Sequence, residues 1–400
     1  MHLKSFSVDH YKSLNRVTVN VTNSPLVFVG ENASGKSNII DALRFIRDAV
    51  RDGLEHAISM RGGIDVLRQY APTRPYKIGF CLEFEQSFAN QSYPAHYEFK
   101  LSSVGSGNYC IDHEFASWYE DDSWFFHDEE TDEGNEKVKV DLHTFNRDAK
   151  GKVKVDDGEF TYPSDELFLG SRNSHYGRIG LPIAQFLAQI KFFSLYPNIL
   201  RNQSRPETDR FLKEGGENWA SVLKSMKKTE RGKRNLNRII EMMRLVLPSL
   251  VDVQVKAIGG YLVPQFLVRD TPNGKGHFFD PIQLSDGTLR VFGILLAIYQ
   301  VQQSAIVAIE EPEQTVNPGV LAMLADAFNE VARSSQLIVT SHSPNLVDYF
   351  DPEGIRVVAM RRGETICTVV KASQLESVKY KLSTLSELMM LDGLQPELEG

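Results

Sequence analysis

Residues 25–43, "PLVFVGENASGKSNIIDAL", constrain the fold more than any other stretch of the chain. A buried apolar run ends in Gly30, a second glycine follows at Gly35, and Lys36 and Ser37 come directly after it. Apolar residues then recur at Ile39, Ile40, Leu43, Ile46 and Val50, the spacing of one helix face. Gly30-x-x-x-x-Gly35-Lys36-Ser37 is the phosphate-loop pattern in full, and strand, glycine loop and helix form the context that gives it meaning. Backbone N–H groups of such a loop, with the helix N-terminus behind it, point at phosphates. Lys36 can reach the β- and γ-phosphates, and the Ser37 hydroxyl can sit on Mg²⁺. The cradle runs through Gly30, Glu31, Asn32, Ala33, Ser34, Gly35, Lys36, Ser37 and Asn38.

The rest of the chain alternates in the manner of an α/β protein. "LKSFSV" and "VTVNV" precede the loop as strand patterns. Residues 77–160 are β-rich, and 181–250 turn helical with "PIAQFLAQI", "ENWASVLKSM" and "NLNRIIEMMRLVL". From 251 onward strands and helices alternate, ending with "AIVAIEE", "GVLAMLADAFNEVA", "QLIVTSHS" and "GIRVVAM". Apolar strands each followed by an amphipathic helix are expected to build an open parallel sheet. The N-terminal and C-terminal portions are expected to share that sheet, divided by the middle of the chain. No heptad seam persists long enough for an extended coiled coil.

Composition excludes some classes. With 42% hydrophobic and 24% charged residues the chain is of ordinary globular type. No apolar run reaches the ~18 residues that a membrane span needs, and no secretion signal opens the chain, so a cytoplasmic protein is expected. Cys81, Cys110 and Cys367 are scattered, without disulfide or metal spacing. The formal charge of −8 comes from residues 120–136, which hold nine acidic and no Lys or Arg side chains; subtracting those nine leaves about +1. Charge therefore neither requires nor forbids a nucleic-acid partner. The acidic stretch is expected to be a solvated loop.

Three further motifs carry chemistry. "AIVAIEEPE" ends a buried strand in Glu310 and Glu311, and their neighbouring positions point to different sides. One carboxylate suits the Mg²⁺ shell and the other the polarising of an attacking water. "LSDGTLR" places Ser285 and Gly287 at a helix start, a second phosphate-binding geometry, although the same letters also make an ordinary turn and cap. "IVTSHSP" puts His342 at the end of an apolar strand, where it can contact a phosphate or serve as a capping or core residue.

In this order the motifs resemble those of ABC-type ATPases of the RecF/SMC-like branch. The likeness is greatest to stand-alone bacterial predicted ATPases of the AAA-labelled, ABC-like group used in anti-phage defence modules. It extends from "LKSFSVDHYKSL" to "STLSELMMLDGL" and includes "SMRGGIDVL" and "EGGENWASVLKSM". The resemblance implies an ABC-ATPase head with an inserted β-rich lobe, a helical lobe and no long coiled coil. The implied segments are 1–76, 77–180, 181–250 and 251–400. It also implies ATP and Mg²⁺ held between two copies of the chain, in a dimer or higher homo-oligomer. Ser285 and Gly287 of one copy would then contact the γ-phosphate at Lys36 of the other. Glu310 would take the Mg²⁺ position with Ser37, Glu311 that of the general base, and His342 that of the switch histidine. Tyr11, Lys12 and Ser13 would border the nucleotide. Three departures stand out: no Gln follows the strand "KFFSLYP" as the glutamine loop, with only Gln189 and Gln203 near; Asn317 replaces the usual His; and Glu310 stands where transporters carry Asp.

Two functions are consistent with this engine. In one, ATP-dependent dimerisation makes the chain a sensor or scaffold that controls a separate effector, a nuclease or toxin, in bacterial anti-phage defence. In the other, it is a RecF-like DNA-binding ATPase of repair or recombination. The 58 residues after His342 are expected to be too few for a fused nuclease. Residues 224–238, densely basic with Glu230 the one acidic residue, are the candidate DNA contact, and a solvated helix face is the alternative. No membrane partner is expected.

Overall fold

The structure, a computed structural model, describes residues 1–22, 25–69, 77–88, 90–105, 107–121, 140–156, 158–170, 180–208, 211–269, 274–300 and 305–397. Most of the acidic stretch at 120–136 lies outside these residues. The elements begin with β1 (His2–Asp9), β2 (Val17–Asn20), β3 (Leu26–Val29), α1 (Lys36–Arg51), α2 (Leu54–Ser59) and α3 (Ile64–Leu67). Next come β4 (Ile78–Phe88), β5 (Gln91–Gly105), β6 (Asn108–Asp121), β7 (Val140–Arg147), β8 (Lys152–Val155), β9 (Gly158–Thr161) and α4 (Leu181–Ala188). They continue with β10 (Lys191–Phe193), α5 (Pro197–Leu200), α6 (Trp219–Met226), α7 (Glu230–Met243), β11 (Leu250–Ile258), β12 (Tyr261–Val268), β13 (His277–Phe279) and α8 (Asp286–Gln300). The last are β14 (Ile306–Glu310), α9 (Leu321–Val331), β15 (Gln336–Ser341), α10 (Pro344–Val347), β16 (Ile355–Arg361), β17 (Glu364–Val369), α11 (Ala372–Lys379) and α12 (Leu385–Leu391). Contacts group the chain into two compact units.

The first unit comprises Met1–Thr22, Ala33–Ile190 and Val358–Cys367. Its sheet is antiparallel in the order β2-β1-β4-β5-β6-β7-β8-β9. Alternation along β4 buries Ile78, Phe80, Leu82 and Phe84 on one face. Phe80 packs on Phe45 of α1 and Phe99 of β5, with ring centroids 5.2 and 4.9 Å apart, and Phe84 meets Phe186 of α4 edge-on. Inside the sheet Glu114 and Arg147 are fully buried 3.5 Å apart, and Glu114 also accepts from the N–H groups of Phe168 and Leu169. Burial raises its carboxyl above the usual range despite these donors.

Cys81, Cys110 and Cys367 form no disulfide among the described residues. Cys81, which its isolation in the sequence separates from any ligand-type cluster, has ligand atoms of Glu83 and His96 within 4.8 Å. Cross-strand register is the reason, with Glu83 opposite His96 and Cys81 opposite Glu98.

The second unit comprises Asn23–Asn32, Lys191–Val357 and Thr368–Gly400. Its main strands pair in parallel in the order β10-β14-β15-β3-β16, with β16 joining through Ile355, Arg356 and Val357. β3 and β15 are buried at every position and β14 through Ile309, as strands covered on both faces must be. α8 is buried on all sides from Thr288 to Gln300 and carries the core with α6, α7 and α9. A smaller antiparallel sheet, β11-β12-β13, contributes Phe266, whose ring meets Trp219 of α6 and Phe292 of α8.

The expected common sheet of the N- and C-terminal portions holds for β3 alone. β1 and β2 join the antiparallel sheet instead. Their alternating burial suits a sheet with one solvated face, whereas the uninterrupted "LVFV" of β3 suits a central parallel strand.

Candidate functional site

The phosphate-loop residues leave β3 at Val29 and enter α1 at Lys36. Ala33 has φ 62° and Gly35 φ 105°, so left-handed residues alternate with Ser34 and gather successive N–H groups into a concavity. α1 has Gly35 as its N-cap, and no side chain caps its first turn. That leaves the positive end of a 16-residue helix available to an anion. Ser34 is buried with its Oγ unpartnered, Lys36 is 5% exposed, and Ser37 is exposed. Among the described residues this is a cradle of N–H groups, an ammonium and hydroxyls, which suits a phosphate chain with its cation.

A support for the loop was not legible in the sequence. Thr365 of β17 donates its hydroxyl to the Ser34 carbonyl at 3.2 Å and shares a 2.7 Å hydrogen bond with Ser13 Oγ. Asn38 Nδ2 donates to the same Ser13 oxygen at 2.7 Å. A Cβ on Gly35 would lie 2.0 Å from Thr365 Oγ1. Ser13 is thus placed under the loop, tied to it through Thr365 and Asn38. Lys12 is placed differently, with its ammonium 2.5 Å from Asp41 of α1. Asp41 also accepts from Tyr11 Oη at 2.7 Å and Arg61 Nε at 2.9 Å. Burial pulls the Asp41 carboxyl up, and the donors Lys12 and Tyr11 with the Arg61 charge more than reverse this, so it titrates below its ordinary value. Tyr11 is fully buried between Phe45 and Phe80 and acts as core.

The carboxylates and the histidine are aligned by sheet register in the second unit. Glu310 of β14 pairs with Thr340 of β15, and Thr340 pairs with Phe28 of β3. The parallel strands β3, β14 and β15 therefore end at one edge, where Gly30, Glu311 and His342 follow. Glu310 Oε1 accepts from Ser194 Oγ at 2.9 Å, and Ser194 directly follows β10, where the sequence shows no glutamine. Gln189 and Gln203 enter none of these contacts. The Ser37 hydroxyl in the first unit and the Glu310 carboxylate in the second are each a hard oxygen donor of the kind that Mg²⁺ takes.

Glu311 is not a strand residue, so pleat alternation does not set it apart from Glu310 as expected. It leaves β14 at φ 45°, a left-handed conformation uncommon for a glutamate, and its N–H is held by Thr340 O at 3.0 Å and Thr340 Oγ1 at 3.1 Å. His342 Nδ1 lies 3.5 Å from Glu311 Oε1 and 3.7 Å from Glu313 Oε1, with no hydrogen-bond partner among the described residues. Glu313, also missed in the sequence, is 8% exposed and accepts from Ser341 Oγ at 2.8 Å and the His342 N–H at 3.1 Å. It fixes the backbone that presents His342.

Ser285 is exposed just before α8, and its Oγ accepts from the Thr288 N–H at 3.2 Å as a cap. A Cβ on Gly287 would lie 2.6 Å from the Thr315 carbonyl, so the glycine permits close packing on the loop after β14. One turn on, the buried Arg290 donates to the Glu311 carbonyl at 2.8 Å and lies over the Tyr196 ring. Burial lowers its pKa from the ordinary value.

Comparison with known proteins gives a family and a fold. A family model described as "AAA domain, putative AbiEii toxin, Type IV TA system" matches residues 26–348. No curated protein matches the chain in sequence. Among solved structures, an SmcHead bound to the C-winged helix domain of ScpA superposes with TM-score 0.57 at 13% identity, over 94% of this chain and 100% of that one. An Smc head domain with an extended coiled coil, bound to the C-terminal domain of ScpA derived from Pyrococcus furiosus, gives TM-score 0.54 at 13% identity over 95% and 99%. At such identity the likeness is one of fold, that of an SMC-type ATPase head. The longest helix among the described residues is α1 with 16 residues, so the head carries no long coiled coil there. No helix among them is long and apolar enough to cross a membrane.

Proposed function

The chain belongs to the family described as "AAA domain, putative AbiEii toxin, Type IV TA system", and from that premise we propose that it hydrolyses ATP in a dimer that controls a separate effector in bacterial anti-phage defence. One observation carries the ATPase reading: β3, β14 and β15 end at one sheet edge, so that the start of the phosphate loop, Glu310, Glu311 and His342 are set side by side by register. The loop from Gly30 to Asn38 holds the phosphates, with Lys36 against the β- and γ-oxygens. Ser37 and Glu310 would hold Mg²⁺, which would supply charge neutralisation for phosphoryl transfer. Glu311 takes the proton of the attacking water, and Gln314 Nε2, which donates to Glu311 Oε2, orients the carboxylate for that task. His342 contacts the γ-phosphate and Glu313 orients it.

Ser285 and Gly287 of a second copy complete each site, which makes closure of the dimer dependent on ATP. In this reading segments 1–76 and 251–400 form the engine, and 77–180 and 181–250 present surfaces to the effector, a nuclease or toxin, in the cytoplasm. The test is Glu311→Gln in full-length protein. ATP turnover should fall roughly 10²–10⁴-fold, the range for loss of a general base, with ATP binding kept and a dimer trapped in light scattering. Wild-type turnover in that variant would remove Glu311 from the role. Lys36→Ala should instead lose ATP binding.

The second reading, a RecF-like DNA-binding ATPase, draws on residues 224–238. Lys227, Lys233 and Arg238 are ion-paired to Asp252, Glu230 and Glu330. Lys224, Lys228, Arg231 and Arg234 have no ion pair among the described residues and remain available to phosphates.

A further inference from the structure

We propose that a cavity in the second unit, between the start of α7 and the end of α8, binds a phosphorylated nucleoside. The cavity has a volume of about 770 Å³, within the range of small-ligand sites. Gln300, the last residue of α8, lines it. Gln300 is 9% exposed, and neither its Oε1 nor its Nε2 has a hydrogen-bond partner among the described residues. Buried amides almost always have partners, and one with both ends unmade calls for a ligand that supplies an acceptor and a donor side by side. A nucleobase edge does this, as in the bidentate pairing of a Gln amide with adenine.

The other walls fit the rest of such a ligand. Phe211, about half exposed, lines the cavity with the Lys191 ammonium 5.4 Å from its ring centroid, and its exposed surface is one on which a base can stack. Lys224 and Lys228 line it too, and neither has an ion pair among the described residues. Nearby Lys227 and Lys213 are paired, to Asp252 and Glu207. Thr229 and Gly232 line it at the N-terminus of α7, where Thr229 Oγ1 already accepts from the Gly232 N–H at 3.0 Å, so this 14-residue helix adds the field of its dipole and not that donor. An apolar ligand would leave Gln300 unsatisfied. An acidic peptide would use the lysines but not the pairing of exposed ring and amide.

The assignment is independent of the phosphate-loop reading. Two sources share its chemistry, a free mononucleotide and one nucleotide unit of a single strand. Calorimetry with the four nucleoside 5′-monophosphates, which lack the β- and γ-phosphates recognised by the loop at Lys36, tests the first. Fluorescence anisotropy with a labelled 12-nucleotide single-stranded DNA of mixed sequence tests the second. Gln300→Leu keeps the volume, removes the unpartnered atoms and should not lower the melting temperature. It should weaken binding of the true ligand 10-fold or more. Loss for a monophosphate assigns the free nucleotide, and loss for the oligonucleotide alone assigns the strand. The exposed pair Lys224→Ala and Lys228→Ala provides a second variant. It should weaken the same ligand and, for the strand, reduce the slope of log K against log salt by about 1. Unchanged affinity in both variants, or no binding of any probe by the wild type, would overturn the proposal.

Discussion

Arg290 Nη2 donates to the backbone carbonyl of Glu311 across 2.8 Å, from a helix whose first turn holds Gly287. Ser285 caps that helix at the end a second copy would meet, and Glu311 is the candidate base of the chain's own site. In the proposed dimer the two ends of this short path would belong to different half-sites. Arg290 is 3% exposed, and its Nε has no partner among the described residues, where its guanidinium donates to the carbonyls of Glu310 and Glu311. A shift of α8 on closure would move the backbone of Glu311, which already sits in a strained conformation.

Arg290→Lys should therefore uncouple the two. Lys offers a point charge in place of a planar fork and cannot hold the carbonyl while lying flat over Tyr196. We expect turnover to fall about 10-fold, the effect of about 1.4 kcal/mol on the barrier, with ATP affinity unchanged. A double-mutant cycle with Ser285→Ala should be non-additive. Additive effects would mean that Arg290 only packs.

Gly35 and Thr365 give a second prediction. Gly35 combines φ 105° with a Cβ position 2.0 Å from Thr365 Oγ1, so Gly35→Ala must displace the loop and should abolish ATP binding. Thr365→Val is milder. It keeps the shape but removes the bonds to Ser34 O and Ser13 Oγ. A lost hydrogen bond of about 1 kcal/mol predicts a rise in the ATP dissociation constant of roughly 5-fold, measurable with a fluorescent ATP analogue. An unchanged constant would show that the loop keeps its form without Thr365.

The engine was legible in the sequence because its strands are short, apolar runs, each followed by a motif residue at its end. β3, α1, β14, α9 and β15 fall where the patterns put them, as does α8 behind "LSDG". What the sequence hid depends on long-range pairing. Thr365 lies 331 positions from Ser34, and Ser194 lies 116 from Glu310. Glu313 reads as one more charge in "EEPEQ", and its burial follows from the turn after Glu311. The membership of β1 and β2 in the antiparallel sheet was hidden for the same reason, since strand pattern alone does not name a partner. Cys81 looks solitary until β4 and β5 pair.

Glu313 accepts from both Ser341 Oγ and the His342 N–H, and its second oxygen is buried without a partner among the described residues. Glu313→Ala would strand two buried donors, each at about 1–3 kcal/mol. Glu313→Gln keeps an acceptor of the same size and should restore most of the stability. If Glu313 acts only as an anchor, Glu313→Gln should also restore turnover. Low turnover in a stable Glu313→Gln protein would mean that its charge beside His342 is used in catalysis.

Asp41 sets the acid limb of stability in the first unit. Its folded pKa lies below the ordinary carboxylate value, because the donors Lys12 and Tyr11 and the Arg61 charge outweigh burial. A depressed pKa means that the stabilisation is present in full above the unfolded value of about 4 and is lost as pH falls through the folded value. Asp41→Asn should cost about 2 kcal/mol at pH 7, the scale of hydrogen bonds to a charged group. The gap between wild type and variant should hold from pH 7 down to about pH 5 and close below about pH 4. Urea unfolding of both proteins across that range measures it. A gap that stays constant to pH 3 would mean that Asp41 acts through shape and neutral hydrogen bonding, with its charge contributing nothing.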